Sequence, residues 1–317
     1  MTQRKTISIL IPAYNEEEVL RHLYERLGKL AESTPHYDFE FLFVNDGSRD
    51  KTLEIIESYA EKDKRIAYIN LSRNFGKEIA MIAGLDYVTG DATVIIDADL
   101  QDPPELIPKM IKYWEDGYDD IYARRNSRAG ETWFKKITSE TFYKVLQKST
   151  NVPIQQDTGD FRLLDRRCVE ALKKFRESQR YTKGMFSWIG YNKKEILYDR
   201  DPRAAGETKW NYLKLINLAI DGITSFTTAP LRIASVLGMT VSFAAFIYII
   251  YLVVRTIASG GSDLAGYPSM MAVILFLGGV QLLSLGVIGE YVGRIFNETK
   301  QRPLYFIETY HGTNKQK

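Results

Sequence analysis

Two long runs without a charged residue constrain this chain more than any other feature. Ile233 to Val254 covers 22 positions and Leu264 to Gly289 covers 26, and neither run contains Asp, Glu, Lys or Arg. At about 1.5 Å of rise per residue, the first run makes about 33 Å of helix, enough to cross a hydrocarbon core of roughly 30 Å. Two buried helices of a large soluble core are the alternative, but uncharged runs this long favour two transmembrane helices.

Basic residues after the second run predict the topology of this helical pair. Arg294, Lys300 and Arg302 follow the run, whereas the 255–263 loop carries little charge. The positive-inside rule places the basic tail in the cytosol, and two crossings return the chain to its starting side. The apolar run in "MTQRKTISILIPAYNEEE" is too short for a signal peptide. We therefore expect an integral, multi-pass plasma membrane protein with its amino-terminal part and both termini in the cytosol.

Composition bears on nucleic-acid binding and on disulfide formation. Lys and Arg total 42 and Asp and Glu total 40, so a net charge of +2 gives no electrostatic argument for nucleic acid as a partner. Cys168 is the only cysteine, which rules out an intrachain disulfide. We interpret Cys168 as a core thiol, and His22, His36 and His311 as structural or surface residues.

Ahead of the uncharged runs, apolar segments of strand length alternate with helical patterns. The predicted strands are 6–12, 39–45, 65–71 and 92–97, and the predicted helices are 16–31, 50–62, 77–88 and 103–117. This alternation is typical of an α/β fold with a mostly parallel sheet covered on both faces. Beyond residue 125 we expect helices at 133–147 and 211–228, and a short strand or loop at 160–165.

Polar loops follow all four predicted strands: "PAYNEE", "NDGSRDKT", "SRNFGK" and "DADLQD". Ligands of open parallel sheets bind at the carboxyl ends of the strands, so these loops are expected to form one cleft. Asp46 in the second loop is suited to hold a base or ribose. The alternative is that this loop serves as a helix cap through Ser48 or Asp50.

The "DADLQD" loop is the strongest chemical signal. Alternate residues of an extended segment point the same way, so Asp97, Asp99 and Gln101 are expected to present oxygens to one point. Oxygen ligands suit a hard cation such as Mg²⁺ or Mn²⁺, which leaves positions open for phosphate oxygens. The alternative is a solvated strand end, with Asp102 capping the next helix.

Together these segments resemble the inverting family 2 glycosyltransferases with a GT-A fold, and in particular the polyprenyl-phosphate glycosyltransferases. The stretches that carry the resemblance are "IPAYNEEE", "VNDGSRDKT", "LSRNFGKEIAMIAGLDYVTGD", "DADLQDPPE", "DTGDFRLLDRR" and "GETKWNYLKLINLAIDGI". The resemblance implies a GT-A catalytic domain over 1–210, an amphipathic interface helix over 211–230, two transmembrane helices within 231–296 and a cytosolic tail over 297–317.

The resemblance also assigns residues. It implies catalytic roles for Asp157, Asp160 and Asp99, and a metal site of Asp97, Asp99 and Gln101 for Mg²⁺ or Mn²⁺. The nucleotide sugar is expected to contact Pro12, Ala13, Tyr14, Glu16, Asp46, Lys77, Asp97 and Lys209. "DTGDFR" is expected to line the acceptor side, where one aspartate accepts a proton and the other orients Arg162, unless Asp160 only caps a turn.

A guanidinium matches a phosphate as a bidentate fork. The acceptor phosphate is therefore expected to meet Arg124, Arg125, Arg128 and Arg162, although the first three would also suit a basic patch facing lipid headgroups. A phosphate monoester is already a nucleophile, so the difficult steps are holding two anions together and stabilising the leaving diphosphate.

The expected function is transfer of one sugar, with inversion, from a nucleotide sugar to a polyprenyl phosphate on the cytosolic membrane face. UDP-glucose and undecaprenyl phosphate are the expected partners, and whether the protein forms a homo-oligomer is left open. Mannosyl or aminosugar transfer is one alternative. A processive polysaccharide synthase is another, but "SQRYTKG" has no Trp where those enzymes carry Gln-x-x-Arg-Trp. A non-catalytic nucleotide-sugar sensor is a third.

Overall fold

The computed structural model of the protein describes residues 4–126, 158–178, 180, 182–199, 227–259 and 266–313. The chain divides into two compact units. The first comprises residues 1–216 together with 303–317, and the second comprises residues 217–302. The carboxyl-terminal residues therefore belong to the same unit as the amino-terminal ones.

In the first unit, strands and helices alternate as the apolar pattern predicts. The strands are β1 (Thr6–Ala13), β2 (Asp38–Asn45), β3 (Ile66–Leu71), β4 (Ala92–Ile95), β5 (Asp120–Arg125), β6 (Thr158–Asp165), β7 (Lys193–Tyr198) and β8 (Ile307–His311). The helices are α1 (Leu20–Ser33), α2 (Thr52–Lys62), α3 (Lys77–Tyr87), α4 (Ile107–Glu115), α5 (Arg166–Leu172) and α6 (Thr182–Trp188), and a short 3₁₀ helix, Pro104–Leu106, precedes α4.

These strands form one sheet in the order β7-β5-β6-β4-β1-β2-β3-β8. Pairing is parallel between β1 and β2, β1 and β4, β2 and β3, and β5 and β7. The strands β6 and β8 run antiparallel to their neighbours. The predicted mostly parallel α/β fold is therefore confirmed, with two reversed strands that the sequence analysis did not specify.

The sheet is central because its strands are apolar on both faces. Every residue of β1 and β2 beyond the first is buried, as is all of β4. Helix α1 covers one face with Leu20, Leu23, Leu27 and Leu30, which recur at helical spacing and are all buried. Helix α3 approaches the sheet closely at Gly84, where a Cβ would lie 2.0 Å from a methyl of Leu10.

The reversed strand β6 decides which residues reach the functional edge. Thr158 lies opposite Arg124 of β5, and Arg162 lies opposite Ile95 of β4. Because β6 is antiparallel, its first residues meet the carboxyl ends of β4 and β5. The "TGD" of 158–160 thus joins the predicted loops at one edge of the sheet.

The carboxyl-terminal segment adds a strand where the sequence analysis expected only a tail. Ile307–His311 pairs with β3 and forms the last strand of the sheet. Tyr305 Oη donates to Asp86 Oδ2 (2.8 Å), and Asn70 Nδ2 donates to Glu308 Oε2 (3.1 Å). Thr313 Oγ1 donates to Glu40 Oε1 (3.4 Å). Hydrogen bonds on both sides of β8 thus fasten this segment to the first unit.

The second unit contains two long helices, α7 (Ala229–Ser259) and α8 (Tyr267–Thr299). Both contain a segment long and apolar enough to cross a membrane, Ala229–Tyr248 and Phe276–Thr299, with at most 6% of the residues buried. Met239 and Leu282 are more than 70% exposed. Side chains this apolar and this exposed fit a lipid environment better than water. The helix predicted at 133–147 and residues 211–226 of the helix predicted at 211–228 lie outside the described residues.

Candidate active site

The first two predicted loops interlock at the carboxyl edge of the sheet. Asn15 N donates to Ser48 Oγ (3.0 Å), and Arg49 N donates to Asn15 Oδ1 (2.8 Å). Glu16 N donates to Thr52 Oγ1 (2.8 Å). Each loop therefore satisfies backbone donors of the other. Pro12 and Ala13 are buried at the end of β1, whereas Tyr14 is 42% exposed beside them.

Asp46 organises the third loop. Its carboxylate accepts hydrogen bonds from Phe75 N (2.7 Å) and Gly76 N (2.9 Å), and burial raises its pKa. Gly47 follows with φ of 63°, and a Cβ there would lie 2.5 Å from the carbonyl carbon of Arg73. The glycine thus allows the second and third loops to touch. Asp50, not Asp46, accepts from Thr52 N (3.0 Å) at the start of α2.

A shared ammonium joins the fourth loop to β6. Lys77 Nζ lies 2.6 Å from Asp97 Oδ1 and 2.7 Å from Asp160 Oδ2. Desolvation of the ammonium group alone would lower the pKa of Lys77, but the two ion pairs outweigh this effect and raise the pKa. Burial by itself would raise the pKa of Asp160, but Lys77 outweighs burial and lowers it. Lys77 therefore links an aspartate expected on the donor side to one expected on the acceptor side, and Asp160 stays ionised at neutral pH.

The "DADLQD" loop is not the extended segment that the alternation argument assumed. Strand β4 ends at Ile95, and Leu100 has φ of 61° in a turn. Gln101 N donates to Asp99 Oδ1 (3.1 Å), which closes this turn. The expectation of an extended segment is therefore wrong, because the chain turns at residues 98–100, and the role of Asp97, Asp99 and Gln101 as metal ligands stays a prediction.

A divalent cation remains chemically compatible with this loop. Its carboxylate and amide oxygens are the donor type that Mg²⁺ and Mn²⁺ prefer. Lys77 Nζ lies 2.6 Å from Asp97 Oδ1 and 2.8 Å from Asp97 Oδ2, so a divalent cation at Asp97 would compete with this ammonium group. Among the described residues, no group of three or more His, Cys, Asp or Glu side chains is arranged to hold a metal ion. The fit therefore rests on the oxygen donors of this loop and not on a preformed cluster of carboxylates.

The predicted acceptor arginines separate into two environments. Arg124 and Arg125 end β5 at the functional edge, where Arg124 Nη1 lies 3.2 Å from Glu195 Oε2. Arg162 is fully buried within β6, with Nη1 3.2 Å from Asp120 Oδ2 and its guanidinium carbon 3.7 Å from the centre of the Phe186 ring. An arginine enclosed by a carboxylate and a ring serves the interior, so we do not retain Arg162 as a phosphate ligand.

Three predicted site residues, Asp157, Arg128 and Lys209, lie outside the described residues. Cys168 is buried and free, and burial raises the pKa of its thiol, in keeping with the predicted core role. His311 stacks on Tyr68 with ring centroids 5.5 Å apart, a structural contact.

Sequence reasoning missed two buried groups beside the site, Asp102 and Tyr198. Tyr198 Oη donates to Asp102 Oδ1 (2.7 Å), and both residues are at most 4% exposed. Asp102 had been considered only as a helix cap, but Pro103 precedes the 3₁₀ helix without a side-chain cap. The signal for Tyr198 was weak, because β7 was not predicted as a strand.

Comparison with protein families shows to which family this chain belongs. The model of glycosyl transferase family 2 matches residues 8–173, more than half of the chain and all four strand-end loops. The chain belongs to glycosyltransferase family 2. A second model, the GtrB C-terminal hairpin, matches residues 229–295 of this glycosyltransferase, the region of α7 and α8. The family predicted from the sequence is therefore confirmed.

Relatives match the glycosyltransferase over nearly its whole length. An uncharacterized glycosyltransferase of Synechocystis sp. is 51% identical over 96% of both chains. The bactoprenol glucosyl transferase of Shigella phage SfX is 45% identical over 96% of this chain and 99% of the relative. A prophage bactoprenol glucosyl transferase homolog of Escherichia coli is 45% identical over 95% of this chain and 98% of the relative. These similarities include the sheet, the four loops and the helical pair.

Proposed function

We propose that this glycosyltransferase transfers one glucosyl residue from UDP-glucose to undecaprenyl phosphate at the cytosolic face of the membrane. The observation that carries the proposal is the Lys77 contact, which joins Asp97 of the donor-side loop to Asp160 on the strand beside Arg124 and Arg125. Relatives named bactoprenol glucosyl transferase support the sugar and the acceptor. The two exposed apolar helices support a lipid acceptor.

The reaction is a direct displacement. A phosphate oxygen of the acceptor bonds to the anomeric carbon as the bond from that carbon to the UDP diphosphate breaks, and UDP leaves with the electron pair. One displacement inverts the anomeric centre. Any proton on the acceptor phosphate leaves to a nearby base or to water, because a phosphate monoester is already largely deprotonated near neutral pH.

Different residues of this chain would bind the donor and the acceptor. The interlocked loops around Asn15 and Asp46 would hold the nucleoside, and Lys77 would place positive charge near the diphosphate. The guanidinium groups of Arg124 and Arg125 would hold the acceptor phosphate in a bidentate arrangement. Asp160, kept ionised by Lys77, is better suited to orient cations than to accept a proton. The base role is therefore left to Asp157 or to water.

A divalent cation, Mg²⁺ or Mn²⁺, would be held by Asp97, Asp99 and Gln101. When bound there, it would act as a Lewis acid that stabilises the leaving diphosphate.

The test is a screen of radiolabelled nucleotide sugars against undecaprenyl phosphate with the purified full-length protein. We expect a single glucosyl lipid from UDP-glucose, loss of turnover in EDTA, and recovery with Mg²⁺ or Mn²⁺. Asp99→Ala should abolish transfer, whereas Asp116→Ala, at an exposed position just after α4, should not.

Each alternative gives a different result. Mannosyl or aminosugar lipid from another donor would correct the sugar, and a long polymer would indicate a processive synthase. UDP-glucose binding without transfer or hydrolysis would indicate a sensor. Full turnover after exhaustive chelation would contradict the metal assignment.

A further inference from the structure

Three neighbouring side chains, Asp102, Tyr198 and Arg125, lie in a row at the functional edge of the sheet. Asp102 is the last residue of the donor-side loop, and its Oδ1 accepts a hydrogen bond of 2.7 Å from Tyr198 Oη. Tyr198 ends β7, and the Arg125 side chain lies beside its hydroxyl group. Arg125 and Tyr198 are also paired positions of the parallel strands β5 and β7. The register of the two strands therefore places the side chains of Arg125 and Tyr198 next to each other.

Two of these three side chains, Tyr198 and Asp102, are shielded from solvent. Tyr198 is 4% exposed and Asp102 is 3% exposed. Phe161 packs edge-on against the tyrosine ring, with centroids 6.1 Å apart. A buried carboxylate needs a hydrogen-bond partner, and a hydroxyl between a carboxylate and a guanidinium is polarised by both charges. Burial raises the pKa of Tyr198, so its hydroxyl keeps its proton and donates to Asp102 across the physiological pH range.

The third side chain, Arg125, lies on the side of the site where the acceptor is expected. Arg125 Nη2 passes over Gly159, where even an added Cβ would lie 3.8 Å away. Arg125 Nε is buried and has no hydrogen-bond partner among the described residues. The Arg125 guanidinium therefore lies beside Tyr198 and above Gly159, a residue without a side chain that directly precedes Asp160.

We infer that Tyr198 and Asp102 are positioning residues that fix the guanidinium of Arg125 for the acceptor phosphate. The inference rests on the proposed function and adds two residues to it. Because Asp102 is part of the loop that contains Asp97 and Asp99, the same contacts join the order of the donor loop to the orientation of the acceptor arginine. Neither residue touches the reacting atoms, so both act through Arg125.

Tyr198→Phe removes only the hydroxyl, and the steady-state kinetics of the purified full-length protein test its role. We expect the KM for undecaprenyl phosphate to rise about tenfold, as for the loss of one charge-assisted hydrogen bond, while the KM for UDP-glucose stays within about twofold. Asp102→Asn keeps an oxygen that accepts from Tyr198 and should give a smaller effect in the same direction.

Tyr24→Phe is the matched control, because Tyr24 Oη also donates to an aspartate, Asp63 (3.2 Å), and its ring stacks on Tyr59 away from the site. This variant should change neither KM. If Tyr198→Phe raised both KM values equally or changed only thermal stability, the hydroxyl would be structural and the inference would be wrong.

A double-mutant cycle with Arg125→Lys gives an independent test. If Tyr198 acts through Arg125, Tyr198→Phe should change the acceptor KM by less than about twofold in the Arg125→Lys background. If the two substitutions together raised the acceptor KM by the product of their separate effects, the inference would be wrong. Failure of the proposed function is distinguishable, since the wild-type protein itself would then transfer no glucose to undecaprenyl phosphate.

Discussion

At the scale of single residues, Lys77 and Gly47 determine which segments can approach each other at the candidate active site. Lys77 lies between Asp97 and Asp160 and offsets part of their charge, so the two carboxylates repel each other less. Gly47 leaves room for the backbone of Arg73 and Asn74 at a position where φ is 63°. Both residues set the shape of the site through their neighbours.

Replacing Lys77 with Met should impair both activity and stability at neutral pH. We expect transfer to fall at least about 100-fold, as for loss of a preorganised electrostatic group. The pKa of Asp160 is lowered by Lys77, so the stabilising effect of this pair exists above the pKa of an unfolded aspartate and is lost as pH falls through the folded value.

The difference in melting temperature between wild type and Lys77→Met should therefore be large at pH 7 and shrink below about pH 4. Thermal unfolding of the detergent-solubilised protein across this range measures it. Lys109→Met, at an exposed lysine of α4, is the control and should show no such trend. A difference independent of pH would mean that the pair with Asp160 does not form.

Gly47→Ala should destabilise the protein by roughly 1–3 kcal/mol, because it adds a Cβ at positive φ and forces the backbone of residues 73–74 to move. UDP binding, measured by calorimetry, should weaken with it. Gly28→Ala is the matched control, because Gly28 lies within α1 with nothing within 4 Å of an added Cβ. That variant should be neutral or more stable by up to about 1 kcal/mol. Equal effects at both positions would contradict the close approach of the two loops.

At the scale of elements, β6 brings a site residue to the functional edge of the sheet, and β8 covers one of its outer strands. The antiparallel direction of β6 carries Asp160 to the edge where the parallel strands end. Strand β8 covers the open edge of β3, which would otherwise present unpaired backbone groups. Tyr305 and Thr313 fasten the segment on either side of this strand.

A chain that ends at Arg302 should therefore be less stable and more prone to aggregate than one that ends at Thr313. If β8 and its flanking contacts contribute about 2 kcal/mol, the melting temperature should fall by roughly 4–8 °C. Thermal unfolding and light scattering of the two proteins make the comparison. Indistinguishable melting curves would show that β8 adds nothing to the sheet.

At the scale of the whole molecule, the order of the units restricts the topology. The chain leaves the first unit before α7 and returns to it after α8, so both ends of the helical pair join the same folded unit. A globular sheet cannot straddle a bilayer. If α7 and α8 both cross the membrane, the residues before and after them must therefore lie on one side, in agreement with the charge of the tail.

Cysteine labelling tests this topology. The buried Cys168, with its raised pKa, should react slowly, so introduced cysteines dominate the signal. Ser262→Cys should react with a membrane-impermeant maleimide from outside intact cells, whereas Gln316→Cys should react only after permeabilisation. The reverse pattern would place the sheet and the candidate active site outside the cytosol.

The sequence by itself determined the class of this protein. Uncharged runs fix the apolar helices because few other structures can accommodate 22 and 26 such residues. Apolar strands that alternate with amphipathic helices fix the α/β sheet, and the polar loops at the strand ends mark the edge where a ligand would bind. These are local patterns, and local patterns can be read along the chain.

Only the tertiary structure decided which residues meet. Asp97 and Asp160 are far apart in sequence and share Lys77 because β6 runs antiparallel beside β4. Arg162 looks like a phosphate ligand in sequence, yet its position within β6 buries it against Asp120. Strand β8 is five residues long and mostly exposed, and its place in the sheet depends on the edge of β3, which supplies its hydrogen-bond partners. Pairing and burial depend on distant segments, so no local pattern records them.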